Sequence, residues 1–210
     1  MKPLLILGTG NFAVEVADLV SDMDGFRVTG FVQNVDPQNT QARLEGLPVL
    51  WVEEVRALSA TDWAVCAIGA VERRGFIEQV AGFGFRFATL VHPTARVSAT
   101  SRLGEGTIVS AGAVIAAHTQ VGRHVIVNRG VLIGHHTAIG DYATLGPGAN
   151  IAGSVAIGEA TLVGIGATVS DHLTIGKRCF LSAGAVVTGN VGDNIRVVTA
   201  NTRVFLRNPE

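Results

Sequence analysis

Two hydrophobic rhythms run along the chain, and they meet near residue 90. From Val91 onward every sixth residue is aliphatic, beginning Val91, Val97, Leu103 and ending Ile175, Leu181, Val187. The fifth residue of each block is small or β-branched almost throughout, as at Ala113, Thr119, Thr137 and Ala167. Residues 91–192 hold 17 such blocks without a break in register. A period of six suits neither an amphipathic helix nor an alternating strand. It predicts a parallel β-helix with one short strand and one turn per block. Three blocks close a triangular coil of 18 residues, so between five and six coils are expected. Glycine often stands second in the block (Gly104, Gly122, Gly134, Gly140), where a corner needs unusual backbone angles.

Residues 1–90 keep a different pattern. Lys2–Leu7 reads as an apolar strand, followed by a tight turn at Gly8-Thr9-Gly10 and a helix over Asn11–Asp22 with Ala13, Val16, Ala17 and Val20 at helical spacing. Strands are expected at Arg27–Val32, Trp63–Ile68 and Phe85–Leu90, helices at Val52–Leu58 and Glu72–Gly82, and a polar loop at Gln33–Gln41. Alternating strands and helices predict a small Rossmann-like parallel sheet. The expected organisation is an α/β unit over 1–90, a β-helix over 91–195 and a tail over 196–210.

Composition narrows the partners. The 210 residues are 48% hydrophobic and 16% charged, enough apolar material for a packed core. Lys+Arg 16 against Asp+Glu 17 gives a net charge of −1, so neither nucleic acid nor an anionic membrane surface is an expected partner. The short apolar run Leu4–Leu7 and the lack of a long apolar stretch predict a cytoplasmic protein with neither signal peptide nor membrane span. Cys66 and Cys179 make no disulfide framework and are expected in the core. A three-sided prism with few charges offers flat faces for three-fold packing, so a homotrimer is expected.

Candidate chemistry lies in two places. Gly8-x-Gly10 after the first strand would bring backbone N–H groups and a helix N-terminus toward a phosphate. The second strand ends at Gln33-Asn34, with none of the carboxylate that NAD ribose usually requires. Along the repeat, His118, His136, Ser154 and His172 fall in one column at 18-residue spacing or its multiple, and His135 in the next column with Ala117 and Gly153. No two histidines are five residues apart, so a metal site like that of γ-class carbonic anhydrases is not expected.

Hexapeptides of the form Ile-Gly-x-x-Thr/Ala-x resemble those of left-handed β-helix acyltransferases, and the left hand is taken from that resemblance. With the short Gly-x-Gly domain in front, nearly the whole chain resembles the sialic-acid O-acetyltransferase and bacillosamine N-acetyltransferase family. The resemblance implies an acetyl-CoA-dependent sugar acetyltransferase, with acetyl-CoA as cosubstrate and no metal. Its acceptor would be a nucleotide-linked amino sugar of bacterial surface glycans. O-acetylation of a sialic-acid-type sugar, or a nucleotide-sugar binder without activity, are the alternatives. Gly8, Gly10, Asn11, Gln33, Asn34, Gly69 and Arg74 would contact the nucleotide sugar, the last two as part of Ala67-Ile68-Gly69-x-x-x-x-Arg74.

The family's catalytic motif lies over Asn128 to Gly140, so Asn128 and His135 are expected in the site, with His135 as general base. Histidine suits that role because its ordinary pKa is near ~6.5. His136 stands where the family has a carboxylate, and Thr137 where it has cysteine; Asp141 is the nearest acid in sequence. If His135 acts as base, activity falls on the acid side and responds to His136→Glu. The resemblance further assigns Gly153 as an oxyanion donor, Thr144 to the position of a histidine near CoA, and Gly164, Gly166, Ala183 and Gly184 to the CoA groove. The tail reads Thr199-Ala-Asn-Thr-Arg203-Val204, without the family's usual adenine-end signature.

Overall fold

The computed structural model describes residues 1–38, 43–59, 61–70 and 72–199. The part of the predicted loop from Asn39 to Gln41 and the tail beyond Thr199, with Arg203 and Val204, lie outside the described residues. The N-terminal sheet comprises β1 (Lys2–Leu7), β2 (Phe26–Gln33), β3 (Arg43–Leu44), β4 (Leu47–Trp51), β5 (Trp63–Cys66) and β6 (Arg86–Phe87), in the order β3-β4-β2-β1-β5-β6. All neighbours are parallel except the β3–β4 hairpin. Leu4 to Leu7 of the central strand β1 are almost wholly buried, which explains an unbroken apolar run rather than an alternating one. Helices α1 (Asn11–Ser21) and α2 (Arg73–Ala81) pack apolar residues against the sheet: Ala13, Val16, Leu19 and Val20 from α1, Phe76, Ile77 and Val80 from α2.

The repeat folds as a three-sided parallel β-helix, whose faces carry seven, six and five strands. The first face starts at Leu90–Val91, the second at Arg96–Val97 and the third at Arg102–Leu103. Each strand pairs with the one 18 residues later, as Ile108↔Ile126 and Ile115↔Ile133. The aliphatic first residues stack inward as a single core from Val109 to Val187. The turns form three corners. The first-to-second corner carries a glycine with positive φ in successive coils (Gly112, Gly130, Gly148, Gly166, Gly184), here called the glycine corner. The second-to-third corner carries His118, His136, Ser154 and His172 with φ of 56–58°, here the histidine corner. The third-to-first corner carries His124, Tyr142, Ala160 and Arg178, also at positive φ.

The sheet sits on the first face. Leu90 and Ile108, which point out of the prism, belong to the core of the N-terminal sheet. Arg129 at the glycine corner pairs with Glu15 of α1, and Glu159 at the third corner pairs with Arg74 of α2.

Several predicted elements move. The strand expected at Phe85–Leu90 is two elements: β6 closes the sheet, and Leu90–Val91 opens the prism. The strand expected at Trp63–Ile68 stops at Cys66, because Ala67 to Ala70 turn to form a cleft wall. Residues 54–58 are a short 3-10 helix. The hairpin β3–β4 was not anticipated; Glu45 and Gly46, both at positive φ, form its two-residue turn.

Candidate active site

The parallel sheet reverses its order about β1, which has β2 on one side and β5 on the other. A switch point of this kind leaves a crevice at the carboxyl ends of the strands. Here it is a cleft of about 670 Å³ lined by Gly8, Gly10, Asn11, Gln33, Asn34 and Gly69, together with Phe12, Val35, Ile68 and Ala70. The sequence-predicted residues of the nucleotide-sugar site therefore converge, with the exception of Arg74. Gly8 has φ +121, and a Cβ there would lie 3.0 Å from Ile68 Cγ1 and 3.1 Å from the Ala67 carbonyl, so only glycine lets the two walls meet. Helix α1 starts from Gly10 without a side-chain cap; the Ala13 N–H donates to the Gly10 carbonyl at 2.9 Å, which leaves the Asn11 and Phe12 N–H groups without an acceptor among the described residues, at the cleft that both residues line. Gln33 is buried; its Nε2 donates to the Asp36 carbonyl at 2.6 Å and its Oε1 accepts from the Asp36 N–H at 3.2 Å. Its amide thus shapes the cleft rim, while Asn34 is exposed there.

Arg74 does not reach this cleft. Its guanidinium bonds Glu78 and Glu159, both at 2.7 Å, in a separate polar groove beside Tyr142. The neighbour Arg73 points inward instead. Only 2% exposed, it donates to the carbonyls of Gly69, Ala70, His124, Tyr142 and Ala143 and to Thr144 Oγ1. Burial lowers its pKa to about 10. Nothing in the pattern of Glu72-Arg73-Arg74 marks which arginine turns in, so the sequence reading missed it. Thr144, expected beside CoA, is buried under the sheet; its hydroxyl donates to the Gly69 carbonyl at 3.0 Å. It is a junction residue because the N-terminal sheet covers the first face at that height.

At the histidine corner, His135 and His136 are both exposed, with their Nδ1 atoms 3.1 Å apart and rings near perpendicular. His136 thus holds the Nδ1 side of His135, and His135 Nε2 has no protein partner among the described residues. The His136 ring also lies 4.9 Å from that of His118, one coil below. One coil above, a Cβ on Gly153 would stand 2.8 Å from His135 Cε1, so the imidazole rests against a site that only glycine leaves open. The Gly153 N–H has no acceptor among the described residues. Asp141 lies at the third corner and is held by Arg123, whose hydrogen bonds and charge lower its pKa although burial opposes this. It is therefore not the acid that orients His135.

Asn128 falls at the glycine corner, with the strand Leu132–Ile133 between it and His135, and its Nδ2 donates to the Leu145 carbonyl at 3.0 Å. Within one chain Asn128 and His135 therefore stand at different corners, and the Asn128 amide braces the glycine corner. Gly164, Gly166, Ala183 and Gly184 do come together, on successive coils of that corner: Gly184 N–H donates to the Ile165 carbonyl at 2.8 Å, and Ala183 lies over Gly164. Cys66 and Cys179 are buried in the two cores, and burial pushes the Cys66 thiol up to about 12. Among the described residues, no group of three or more His, Cys, Asp or Glu is arranged to hold a metal ion, and no helix is long and apolar enough to cross a membrane.

A six-residue repeat wound into a prism, with a nucleotide-sized cleft packed on one face, places the chain in the hexapeptide-repeat acyltransferase class. Comparisons with known proteins narrow this. The model of the PglD N-terminal domain matches residues 3–79. The acetyltransferase domain of PglB from Neisseria gonorrhoeae, solved with acetyl coenzyme A, is 30% identical over 93% of this chain and 95% of that one, with a TM-score of 0.84. A histidine-to-asparagine variant of perosamine N-acetyltransferase from Caulobacter crescentus, solved with CoA and GDP-perosamine, is 29% identical over 93% of each chain, with a TM-score of 0.86. WeeI from Acinetobacter baumannii, at 23% identity over 95% of this chain and 97% of that one, shares the fold with a TM-score of 0.85. No curated protein matches the sequence. The chain belongs to the PglD-like family of left-handed β-helix sugar acetyltransferases.

Proposed function

We propose that the chain transfers an acetyl group from acetyl-CoA to the amino group of a nucleotide-linked amino sugar, with His135 as general base. The observation that carries this reading is the exposed His135 imidazole, resting against Gly153, held at Nδ1 by His136 and open at Nε2. The sugar amine attacks the thioester carbonyl, forming the C–N bond. His135 Nε2 takes the proton from nitrogen, the C–S bond breaks, and that proton passes to the departing thiolate. The Gly153 N–H, without a protein acceptor, suits a developing oxyanion. The cleft at the start of α1 suits the nucleotide phosphates. The solved relatives that contain CoA and GDP-perosamine support both halves of the reading.

The topology supports a homotrimer. The cleft belongs to a sheet lying on the first face, whereas the histidine corner joins the other two faces and stands opposite it. A sugar held in one chain's cleft therefore meets the histidine of another copy. Exposed Leu132 and Val186 on the second face give such a copy an apolar surface. We place the reaction in the cytoplasm, in the assembly of bacterial surface glycans.

The test is thiol release from acetyl-CoA with UDP-, GDP- and dTDP-linked amino sugars, with mass spectrometry of the product. Turnover lost in His135→Ala, with acetate on nitrogen, is the expected result. Acetate on oxygen would move the reading to a sugar O-acetyltransferase, and binding without thiol release to a nucleotide-sugar binder.

A further inference from the structure

Arg73 is a buried cation that forms no ion pair with a carboxylate among the described residues. Its Nε is buried without a partner, so the site does not exist to satisfy the guanidinium. A cation in such a place is costly, and an apolar side chain would fill the volume at less expense. What only a forked donor achieves is to hold oxygens on two sides at once. On one side are the Gly69 and Ala70 carbonyls, from the turn that walls the cleft. On the other are His124, Tyr142, Ala143 and Thr144 of the prism. The Thr144 hydroxyl closes the circuit, accepting from Arg73 at 2.8 Å and donating to Gly69 at 3.0 Å.

The Gly69 carbonyl is therefore drawn toward the prism by two donors. The Gly69–Ala70 peptide is trans, so its N–H points opposite to its C=O. That directs the Ala70 N–H away from the prism, toward the cleft that both residues line, and it has no acceptor among the described residues. We propose that Arg73, with Thr144, is a positioning residue for the acceptor substrate: it fixes the Gly69–Ala70 peptide so that the Ala70 N–H donates to the nucleotide sugar. This rests on the nucleotide-sugar reading of the cleft. It also makes the prism part of the acceptor site, although no prism residue is among those that line the cleft.

The experiment measures steady-state kinetics and calorimetric binding of GDP-perosamine, GDP and UDP to wild type, Arg73→Lys and Thr144→Val. Thr144→Val keeps the volume and removes only the hydroxyl, so it folds even if Arg73→Lys does not. In Thr144→Val, Kd for the bound probe and KM for the sugar are expected to rise about tenfold, the loss of one well-aimed hydrogen bond to a charged acceptor. KM for acetyl-CoA and kcat at saturating sugar stay within about twofold, which a general loosening of the fold would not achieve. Unchanged probe Kd in Thr144→Val, with only a lower Tm, overturns the proposal and leaves Arg73 a structural clamp. Wild type that binds none of these probes, nor dTDP measured in the same way, overturns the nucleotide-sugar reading and this proposal together.

Discussion

His136 and His124 are the same residue at the same place in the repeat. Each is fourth in its block, and each adopts the left-handed backbone, with φ 56 and 54. Their corners differ in what covers them. His136 stands on an open corner against His135 and His118, whereas His124 is buried at the third corner between Phe87 of the sheet and Tyr142 of the next coil. The repeat thus supplies imidazoles at stereotyped positions, and the N-terminal sheet decides which stay available to a substrate. Position in the hexapeptide carries no function by itself.

The strongest test of this contrast is removal of the open corner's proposed base. His135→Ala is expected to lower kcat by about 10²–10⁴-fold in the thiol-release assay, the range for loss of a general base. His124→Asn, which tolerates the same backbone, is expected to leave kcat within a few-fold. If the two variants lose activity equally, the contrast fails.

Second in size is an acid-stability effect confined to the covered corner. Burial lowers the His124 pKa from 6.5 to about 4. Below pH 6.5 the unfolded chain takes up that proton while the folded chain does not, so stability falls as pH drops from about 6.5 to about 4. Allowing for water in the adjoining groove, the loss is on the order of 2 kcal/mol. Thermal unfolding across this range should show a shallower acid slope in His124→Asn than in wild type; parallel slopes would contradict a buried neutral imidazole.

A smaller pair of changes separates backbone from chemistry. At Gly130, φ is +66 and an added Cβ would meet nothing within 4 Å, so Gly130→Ala isolates the left-handed penalty. Its expected cost is about 1 kcal/mol by denaturant unfolding. His136→Gly is expected to change stability by less than about 0.5 kcal/mol, since relief of that penalty offsets the freer unfolded chain. Turnover is nevertheless expected to fall in the thiol-release assay, because Nδ1 of His135 loses its partner. In His136→Glu a carboxylate takes that place, and the acid limb of the pH–rate profile should move; overlaid profiles would show that His136 does not act on His135.

The smallest effect belongs to the pair Arg129–Glu15, which links the prism to α1 but is 60% and 43% exposed. Arg129→Ala is expected to cost less than about 1 kcal/mol and less still in high salt. A larger loss would give this surface contact a role in holding the sheet on the prism.

The prism was legible because its signal repeats: seventeen aliphatic positions at fixed spacing outvote any local ambiguity. The cleft was legible because Gly8 and Gly10 follow an apolar strand directly. What the sequence hid depends on one contact rather than on a pattern. Neither spacing nor composition distinguishes Arg73 from Arg74, and only the packed junction shows which guanidinium turns in. Thr144 was placed near CoA by family resemblance alone, and its outward position on the first face puts it under the sheet. Asn128 and His135 lie in one motif, yet seven residues in this repeat carry the chain round to another corner, a separation that the motif does not display.

The unbroken register has a mechanical consequence. Each coil from Val91 to Val187 is 18 residues, and no inserted loop projects from any corner. Enzymes that shut water out of a reaction commonly swing a loop or a hinged domain over it. The histidine corner has no such movable flap among the described residues. If the reaction takes place there as proposed, solvent is displaced by a surface that is already in place when the substrates arrive. Pre-steady-state traces should therefore lack a slow closing phase, and the order in which the two substrates enter should be set by steric access alone.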